Sequence, residues 1–388
     1  MRGLVFENSP GPTLGVEIEL AVVDAETMRL ANGCPRILDR LPEHERAFIK
    51  PELMQSYIEV NSAIGSNAAD VEKDLRRKFG LIESIGDELG YRFCWSGTHP
   101  FSTWRDQVVT ENSRYHDLVE MLQDTARQLI TFGMHVHVGV DSGDKAVMIC
   151  DRMLRHLPTL LAASCNSPFW EGRVTGLASW RSRVMDGLPT AGLPPLMRNW
   201  SEYVWLVNHL VETGFIKTIR EIWWDLRPHH NFGTVEVRIC DVPGSLEDAM
   251  ALAALVHCLV KWLSDDIDNG TYQHDCHPMI VRQNKWRAAR HGLDAMFVDF
   301  STYDVRPARD ILLGLVDELG PTADSLGCAS QFDRLVQLAR EPNWSFRQLD
   351  ILRETGDPAE VVRSLTNGSG TAPSPAVRNR RVPPRQAL

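Results

Sequence analysis

The sequence predicts an α+β domain built on an antiparallel sheet. Four short segments alternate apolar with polar residues, which is the pattern of a strand that buries one face. Longer segments with apolar residues at helical spacing lie between them. Neither an internal repeat nor a clear linker divides the 388 residues, so strands interrupted by helices indicate one large domain.

Composition and charge exclude several classes of protein. A net charge of −10 argues against binding to nucleic acid through a basic surface. The chain contains neither an apolar run of bilayer length nor the apolar core of a signal peptide, so we expect a cytoplasmic protein that does not bind membranes. The eight cysteines are far apart in sequence, which indicates buried free thiols rather than a zinc or disulfide framework.

The first patterned segment, residues 15–20, carries two carboxylates on its polar face. As a strand it would bury its valine, isoleucine and leucine and hold Glu17 and Glu19 about 6.5 Å apart. Two anions at that distance raise each other's pKa unless a cation lies between them. Carboxylate oxygens favour a hard ion such as Mg²⁺ or Mn²⁺. For one strand alone, a half-solvated polar face is the better explanation of the pattern.

The same alternation recurs in three further segments, at residues 57–61, 134–139 and 234–240. Their polar positions are occupied by Glu59, His135, His137, Glu236 and Arg238. Carboxylates, imidazoles and a guanidinium are chemically competent groups, unlike the lysine, serine and threonine of an ordinary solvated face. We therefore expect the four strands to form one sheet that lines one site. Glu52, which precedes Glu59, could reach this site from the preceding turn.

The remaining elements follow from caps and periodicity. A helix capped by Ser66 or Asn67 should end at Gly90, and one that begins after Ser245 should back the sheet. Further helices are predicted over residues 115–130, from 141 or 142 to 164, over 201–211 and around 284–290, and further strands near 91–95 and 296–300.

Residues 165–200 form a long irregular segment, which in a compact enzyme is typical of a functional loop. Its arginines Arg173, Arg181 and Arg183 suit phosphate or carboxylate, although exposed surface arginines are the plain alternative. The sequence contains neither a GxxxxGK[ST] loop nor a GxGxxG motif. If ATP binds, metal ions and arginines must hold its phosphates.

Six motifs in order resemble the carboxylate-amine ligase family, the glutamate–cysteine ligase type 2 group. They are Gly-Val-Glu-Ile-Glu-Leu at 15–20, Gly-Met-His-Val-His-Val-Gly at 133–139, Asn-Ser-Pro-Phe-Trp at 166–170, Trp-Trp-Asp-Leu-Arg-Pro at 223–228, Thr-Val-Glu-Val-Arg-Ile-Cys-Asp at 234–241 and Asn-Lys-Trp-Arg-Ala at 284–288. The resemblance runs from about residue 13 to 365. With it we expect one catalytic domain over residues 1–365 and a disordered basic tail over 366–388.

The resemblance implies a glutamine-synthetase-like catalytic domain, in which a curved antiparallel sheet with a polar metal-binding face is backed by helices. It also implies ATP, Mg²⁺ or Mn²⁺, and an amide formed through an acyl phosphate. The expected substrates are an amino acid such as glutamate and an amine such as cysteine, and the expected assembly is a homodimer.

Residue roles carried over from the family fall on the same polar positions. The resemblance makes Glu17, Glu19, Glu52, Glu59, His135 and Glu236 metal ligands, with His135 on the nucleotide side. It makes Arg238 and the loop arginine Arg183 catalytic, and it places both of them, with His135 and Arg181, at the nucleotide. His137 has no firm counterpart, and His291 stands where relatives would carry an aromatic residue.

Two other classes remain open. A zinc-dependent amidohydrolase could use His135 and His137, because pairs of this spacing occur on strands of that class; the glutamate-rich surroundings suit magnesium better. A binding protein that keeps the fold without activity is the second. Turnover of ATP with a panel of amines separates them from a ligase.

Overall fold

The structure, a computed structural model, describes residues 4–9, 11–271, 276–300 and 302–370. Its strands are β1 (Leu14–Asp24), β2 (Ile49–Pro51), β3 (Tyr57–Asn61), β4 (Tyr91–Cys94), β5 (Gly133–Gly139), β6 (Phe169–Trp170), β7 (Arg173–Val174), β8 (Leu226–His229), β9 (Thr234–Asp241), β10 (Met296–Val298) and β11 (Val305–Pro307). Within these ranges, seven strands form one sheet in the order β2-β3-β1-β5-β9-β8, with β4 also paired to β1. Every pairing in it is antiparallel, as predicted.

The helices are α1 (Cys34–Arg40), α2 (Ala68–Leu89), α3 (Ser113–Leu122), α4 (Asp124–Arg127), α5 (Gly143–Met153), α6 (Leu157–Ser164), α7 (Arg181–Met185), α8 (Trp200–Glu212), α9 (Leu246–Asp268), α10 (Pro278–His291), α11 (Ala308–Glu318), α12 (Gly320–Ser325), α13 (Ala329–Arg340), α14 (Trp344–Thr355) and α15 (Pro358–Ser364). Helices α2, α5, α6 and α9 pack against strands of the large sheet. Most of α9 is buried, so the expectation that it backs the sheet is confirmed.

The predicted caps are present. The Asn67 side chain accepts a hydrogen bond from the backbone N–H of Asp70 at the start of α2, and Gly90 ends that helix with a positive φ of 78°. Ser245 caps α9 in the same way. These residues satisfy backbone groups that a helix end leaves unpaired, which is why the sequence located the boundaries well.

Two predicted helices are wrong in their extent. The helix expected over residues 115–130 is two helices, α3 and α4, separated at Gln123, whose φ is 51°. The helix expected to run unbroken to residue 164 is divided into α5 and α6, and Pro158 lies in the first turn of α6. Proline removes a donor and is tolerated where the first-turn N–H has no helical partner, so it marks a new start.

The two faces of the sheet differ as the alternation predicts. Val16, Ile18 and Leu20 of β1 are buried in the core, whereas Glu17 and Glu19 are only partly covered. All eight cysteines are buried with free thiols, as expected. In the described part of the chain, every helix is too short or too polar to cross a bilayer.

The first residues of the tail that was predicted to be disordered contact helices of the domain. The backbone N–H of Leu246 donates to the Gly368 carbonyl, and Arg76 donates to the Ser369 carbonyl at 2.7 Å. Gly368 and Ser369 therefore contact α9 and α2. The rest of the predicted tail, residues 371–388, lies outside the described residues.

Candidate active site

Strand register gathers the predicted polar residues on one face of the sheet. The four patterned strands are consecutive neighbours in the order β3-β1-β5-β9. Glu17 of β1 lies opposite His135 of β5, and Glu19 lies opposite Glu59 of β3. Residues directly opposite on neighbouring strands project to the same side. The result is a cleft of about 320 Å³ over this face.

One cluster in the cleft, here called the histidine group, consists of Glu17, His135 and Glu236. Each offers a donor atom, and these atoms all lie within 4.8 Å of one another. Nδ1 of His135 is 3.0 Å from a carboxylate oxygen of Glu17. Glu236 accepts a hydrogen bond from Nε of Arg227 at 2.7 Å and a second from Arg238. Two carboxylates and one imidazole thus converge on one point.

The charge state of the histidine group follows from its neighbours. Burial opposes ionisation of Glu236, but the charges of Arg227 and Arg238 hold its pKa well below the usual range. Burial also opposes ionisation of Glu17, yet hydrogen bonds to His135 and its neighbour His137 lower its pKa. Burial and the Arg238 charge lower the pKa of His135 to about 4. At neutral pH the group therefore offers two carboxylates and a neutral imidazole.

A second cluster, the glutamate group, consists of Glu19, Glu52 and Glu59, whose donor atoms also lie within 4.8 Å of one another. Glu52 follows β2 directly, and β2 pairs with the β3 strand that carries Glu59. The backbone N–H of Gly133 donates to Glu19 at 2.5 Å. Asn61 donates to Glu59 at 2.7 Å.

The carboxylates of the glutamate group repel one another. Burial raises the pKa of Glu19 to about 7; Arg181 opposes the shift and the Glu59 charge adds to it. Burial, with the charges of Glu59 and Glu19, raises the pKa of Glu52 well above its usual value. Crowded carboxylates of this kind suit a divalent cation, which would relieve the repulsion between their negative charges. The donor chemistry of both groups suits Mg²⁺ or Mn²⁺.

The predicted arginines separate into three situations. Arg238 lines the cleft between the Glu236 carboxylate and His135. Arg181 also lines the cleft, but its guanidinium donates to the backbone carbonyls of Arg238 and Ile239 at 3.2 and 3.3 Å. Arg181 therefore holds β9 in place from the side of the cleft.

Arg183 is not among the residues that line the cleft in the described structure. Its guanidinium pairs with Asp186 at 3.1 Å and lies 5.6 Å from the ring centroid of Trp286. Positions two apart on a short helix face different directions, so α7 turns Arg181 inward and Arg183 outward. His291, at the end of α10, and Arg173, on β7, are likewise not among the cleft-lining residues.

Sequence reasoning missed Arg227, although its motif was recognised. Arg227 lies on β8 opposite Glu236 in register, is buried, and donates to that carboxylate through Nε. Pro228 argues against a strand at this position, because proline is found in sheets mainly at an edge. β8 is indeed an edge strand of the sheet, so the proline is tolerated there. The signal that could have found it is an arginine two positions from a histidine, on the same face of a short segment.

His137 lies beside the histidine group, although its role could not be assigned from the sequence. Nδ1 of His137 is 3.0 Å from the Thr234 hydroxyl, and Nε2 is 3.5 Å from Glu17. The rings of His229 and Phe232 surround it, and these two rings stack on each other at 4.1 Å. This end of the cleft is therefore aromatic.

Comparison with known families places the chain among ligases. The model of the glutamate–cysteine ligase family 2 (GCS2) matches residues 13–366. A protein of Gloeobacter violaceus named "Putative glutamate--cysteine ligase 2" is 41% identical over 94% of this chain and 99% of its own length. A protein of the same name from Thermobifida fusca is 40% identical over 93% of this chain and 91% of its own.

Solved structures confirm the predicted fold class. Glutamate–cysteine ligase of Francisella tularensis in complex with AMP has a TM-score of 0.70 at 12% identity, over 96% of this chain and 91% of that one. A bifunctional glutathione synthetase of Pasteurella multocida has a TM-score of 0.66 at 14% identity, over 92% of this chain and 52% of that one. At these identities the likeness concerns the fold.

Proposed function

The chain belongs to glutamate–cysteine ligase family 2, and from this membership we propose that it is an ATP-dependent carboxylate–amine ligase. It joins an acid, with glutamate the first candidate, to an amine, and it releases ADP and phosphate. The proposed intermediate is an acyl phosphate, formed when the γ-phosphoryl group of ATP moves to the substrate carboxylate. The AMP complex of the Francisella ligase supports nucleotide binding in this fold.

The observation that carries this proposal is that two clusters of potential metal ligands lie side by side on one sheet. The histidine group and the glutamate group share β1 as their common strand, through Glu17 and Glu19. Divalent ions bound at both would neutralise the negative charge on ATP and the acid as they approach each other. A hydrolase that uses His135 and His137 alone gives no role to three converging glutamates.

Arg238 supplies the fixed positive charge in this scheme. Glu236 holds its guanidinium, and Arg181 holds the carbonyl of the same residue, so its position is set before substrate binds. A donor oriented in advance stabilises charge on a transferring phosphoryl group without reorganisation. We assign Arg238 to that group and Arg181 to the support of Arg238. Because Arg183 is not among the described residues that line the cleft, we give it no part in the proposed chemistry.

The test is release of ADP with ATP, Mg²⁺ and L-glutamate, with amines added one at a time, cysteine first, and products identified by mass. We expect release that depends on an amine, a γ-glutamyl product, and no turnover after chelation. Hydrolysis of an amide with zinc, without ADP release, would overturn the ligase and support the hydrolase.

Paired arginine variants test the assignments within the site. Arg238→Lys should lower kcat by about 100-fold or more, the loss typical of an electrostatic donor. Exposed Arg198→Lys serves as the neutral control. Arg183→Lys should lower kcat far less than Arg238→Lys does. An equal decrease in kcat would show that Arg183 acts in the site.

A further inference from the structure

The cleft has an apolar wall that metal and phosphate chemistry does not explain. Five aliphatic side chains from separate segments line it: Leu53, Leu118, Leu129, Met185 and Leu188. They come from the turn after β2, from α3, from the segment after α4, and from the end of α7 and the turn beyond it. We call this set the aliphatic wall. Its members come from three stretches of the chain, at residue 53, at 118–129 and at 185–188, which the fold brings together.

The aliphatic wall lies at the end of the cleft that holds the glutamate group. Leu53 follows Glu52 directly in the chain. The hydroxyl of Tyr115, one turn before Leu118 on α3, donates to the Pro51 carbonyl at 3.3 Å. These contacts tie α3 to the segment that delivers Glu52.

Met185 of the aliphatic wall contacts the segment that leads into β5 and to the glutamate group. Thr131 lies 3.7 Å from the sulfur of Met185 through its hydroxyl. Two residues further on, Gly133 donates its N–H to Glu19. The opposite end of the cleft carries His137, His229 and Phe232 in place of aliphatic groups. The two ends therefore differ in chemistry.

An aliphatic wall beside a charged site has a consequence for substrate choice. Packing explains why Leu53, Leu129 and Leu188 are buried, but Met185 and Leu118 are only partly covered and line the cleft. A hydrocarbon group placed there leaves water, whereas a small polar substrate leaves the wall wet. Each methylene that a ligand buries changes binding about fourfold, which corresponds to about 0.8 kcal/mol.

We propose that one of the two organic substrates carries an aliphatic or aromatic hydrocarbon body that packs on the aliphatic wall while its reacting group lies at the glutamate group. This inference rests on the proposed ligase function and adds to it a substrate class larger and less polar than cysteine. Either the acid or the amine carries that body, and the assay below separates the two cases.

The experiment compares two series with the wild-type chain, ATP and Mg²⁺. In the first, L-glutamate is kept and the amine varies from methylamine through n-butylamine to isoamylamine and phenethylamine, with 4-aminobutanol as the polar counterpart of n-butylamine. In the second series, the amine is the same in every assay and straight-chain acids replace glutamate. In one series kcat/KM should rise about fourfold per added methylene, and the hydroxyl-bearing compound should lose that gain.

A matched pair of variants on α3 locates the effect. Leu118 lines the cleft, and Leu122, one turn later, is also partly buried but is not among the lining residues. Leu118→Gln should flatten the dependence on hydrocarbon length, and Leu122→Gln should retain it. ADP release that favours cysteine or other small polar amines, unchanged by Leu118→Gln, would overturn the inference and leave the ligase intact. No release with any pair of substrates would overturn both.

Discussion

The buried pair between Arg227 and Glu236 allows a quantitative test of how the site is held. Arg227 is 6% exposed, donates Nε to the Glu236 carboxylate at 2.7 Å, and donates Nη1 to the carbonyls of Ile219 and Ile222 at 3.1 and 2.6 Å. Arg227→Met removes these bonds at once. Breaking a buried ion pair costs about 3 to 5 kcal/mol, because it leaves the other charge uncompensated. Arg238 still pairs with Glu236, so we expect a loss of about 3 kcal/mol, the lower end of that range.

The measurement is the free energy of unfolding in urea, without divalent ions, followed by circular dichroism. Arg198→Met is the control, since its pair with Glu202 is 3.0 Å long but the Arg198 side chain is 86% exposed; ion pairs this exposed contribute little to stability because water screens them. Arg227→Lys keeps the charge and should fall between the two. A loss for Arg227→Met no greater than that of the Arg198 control would refute the reasoning.

Three further predictions follow from other residues. Glu19→Gln should abolish ADP release and reduce the rise in melting temperature that Mn²⁺ gives the wild type; an unchanged rise would place the ion elsewhere. Lys285 is buried between Asp225 and Asp186 at 2.7 and 2.8 Å, so Lys285→Met should lower the free energy of unfolding by about 3 kcal/mol; a loss below about 1 kcal/mol would contradict this. Burial lowers the pKa of His99 to about 4. Below about pH 6.5 the unfolded chain therefore binds a proton at His99 that the native chain does not bind. The free energy of unfolding should fall by up to about 1.4 kcal/mol per pH unit from about pH 6.5 toward pH 4. His99→Gln should reduce that slope in urea titrations, and an unchanged slope would exclude His99 as its source.

The sequence located the central strands and their polar face because alternation is a local signal that the fold preserves. Glu17 and Glu19 needed no knowledge of their neighbours to be placed together. Their partners from other strands could be grouped only as members of one sheet, because register depends on pairings that are far apart in the chain. The division into a histidine group and a glutamate group is therefore a result of the three-dimensional structure.

The misplaced elements have specific physical causes. The backbone at Gln123 takes a positive φ, a conformation that usually marks a glycine. Because this residue is a glutamine, the break between α3 and α4 could not be seen in the periodicity of the sequence. β8 contains a proline and was not recognised as a strand, which concealed Arg227. Arg181 and Arg183 could not be distinguished, since the direction of a short helix within a long loop depends on tertiary contacts.

Because β1 supplies one carboxylate to each donor group, its length cannot vary independently of the chemistry. Deleting Ile18 would make Glu17 and Glu19 direct neighbours in the strand, so that one of the two would face the core, since successive side chains alternate. Surface loops elsewhere tolerate insertions and deletions. In a library of single-residue deletions, this strand should therefore be among the segments least able to lose a residue, whatever substrates the family members have come to use.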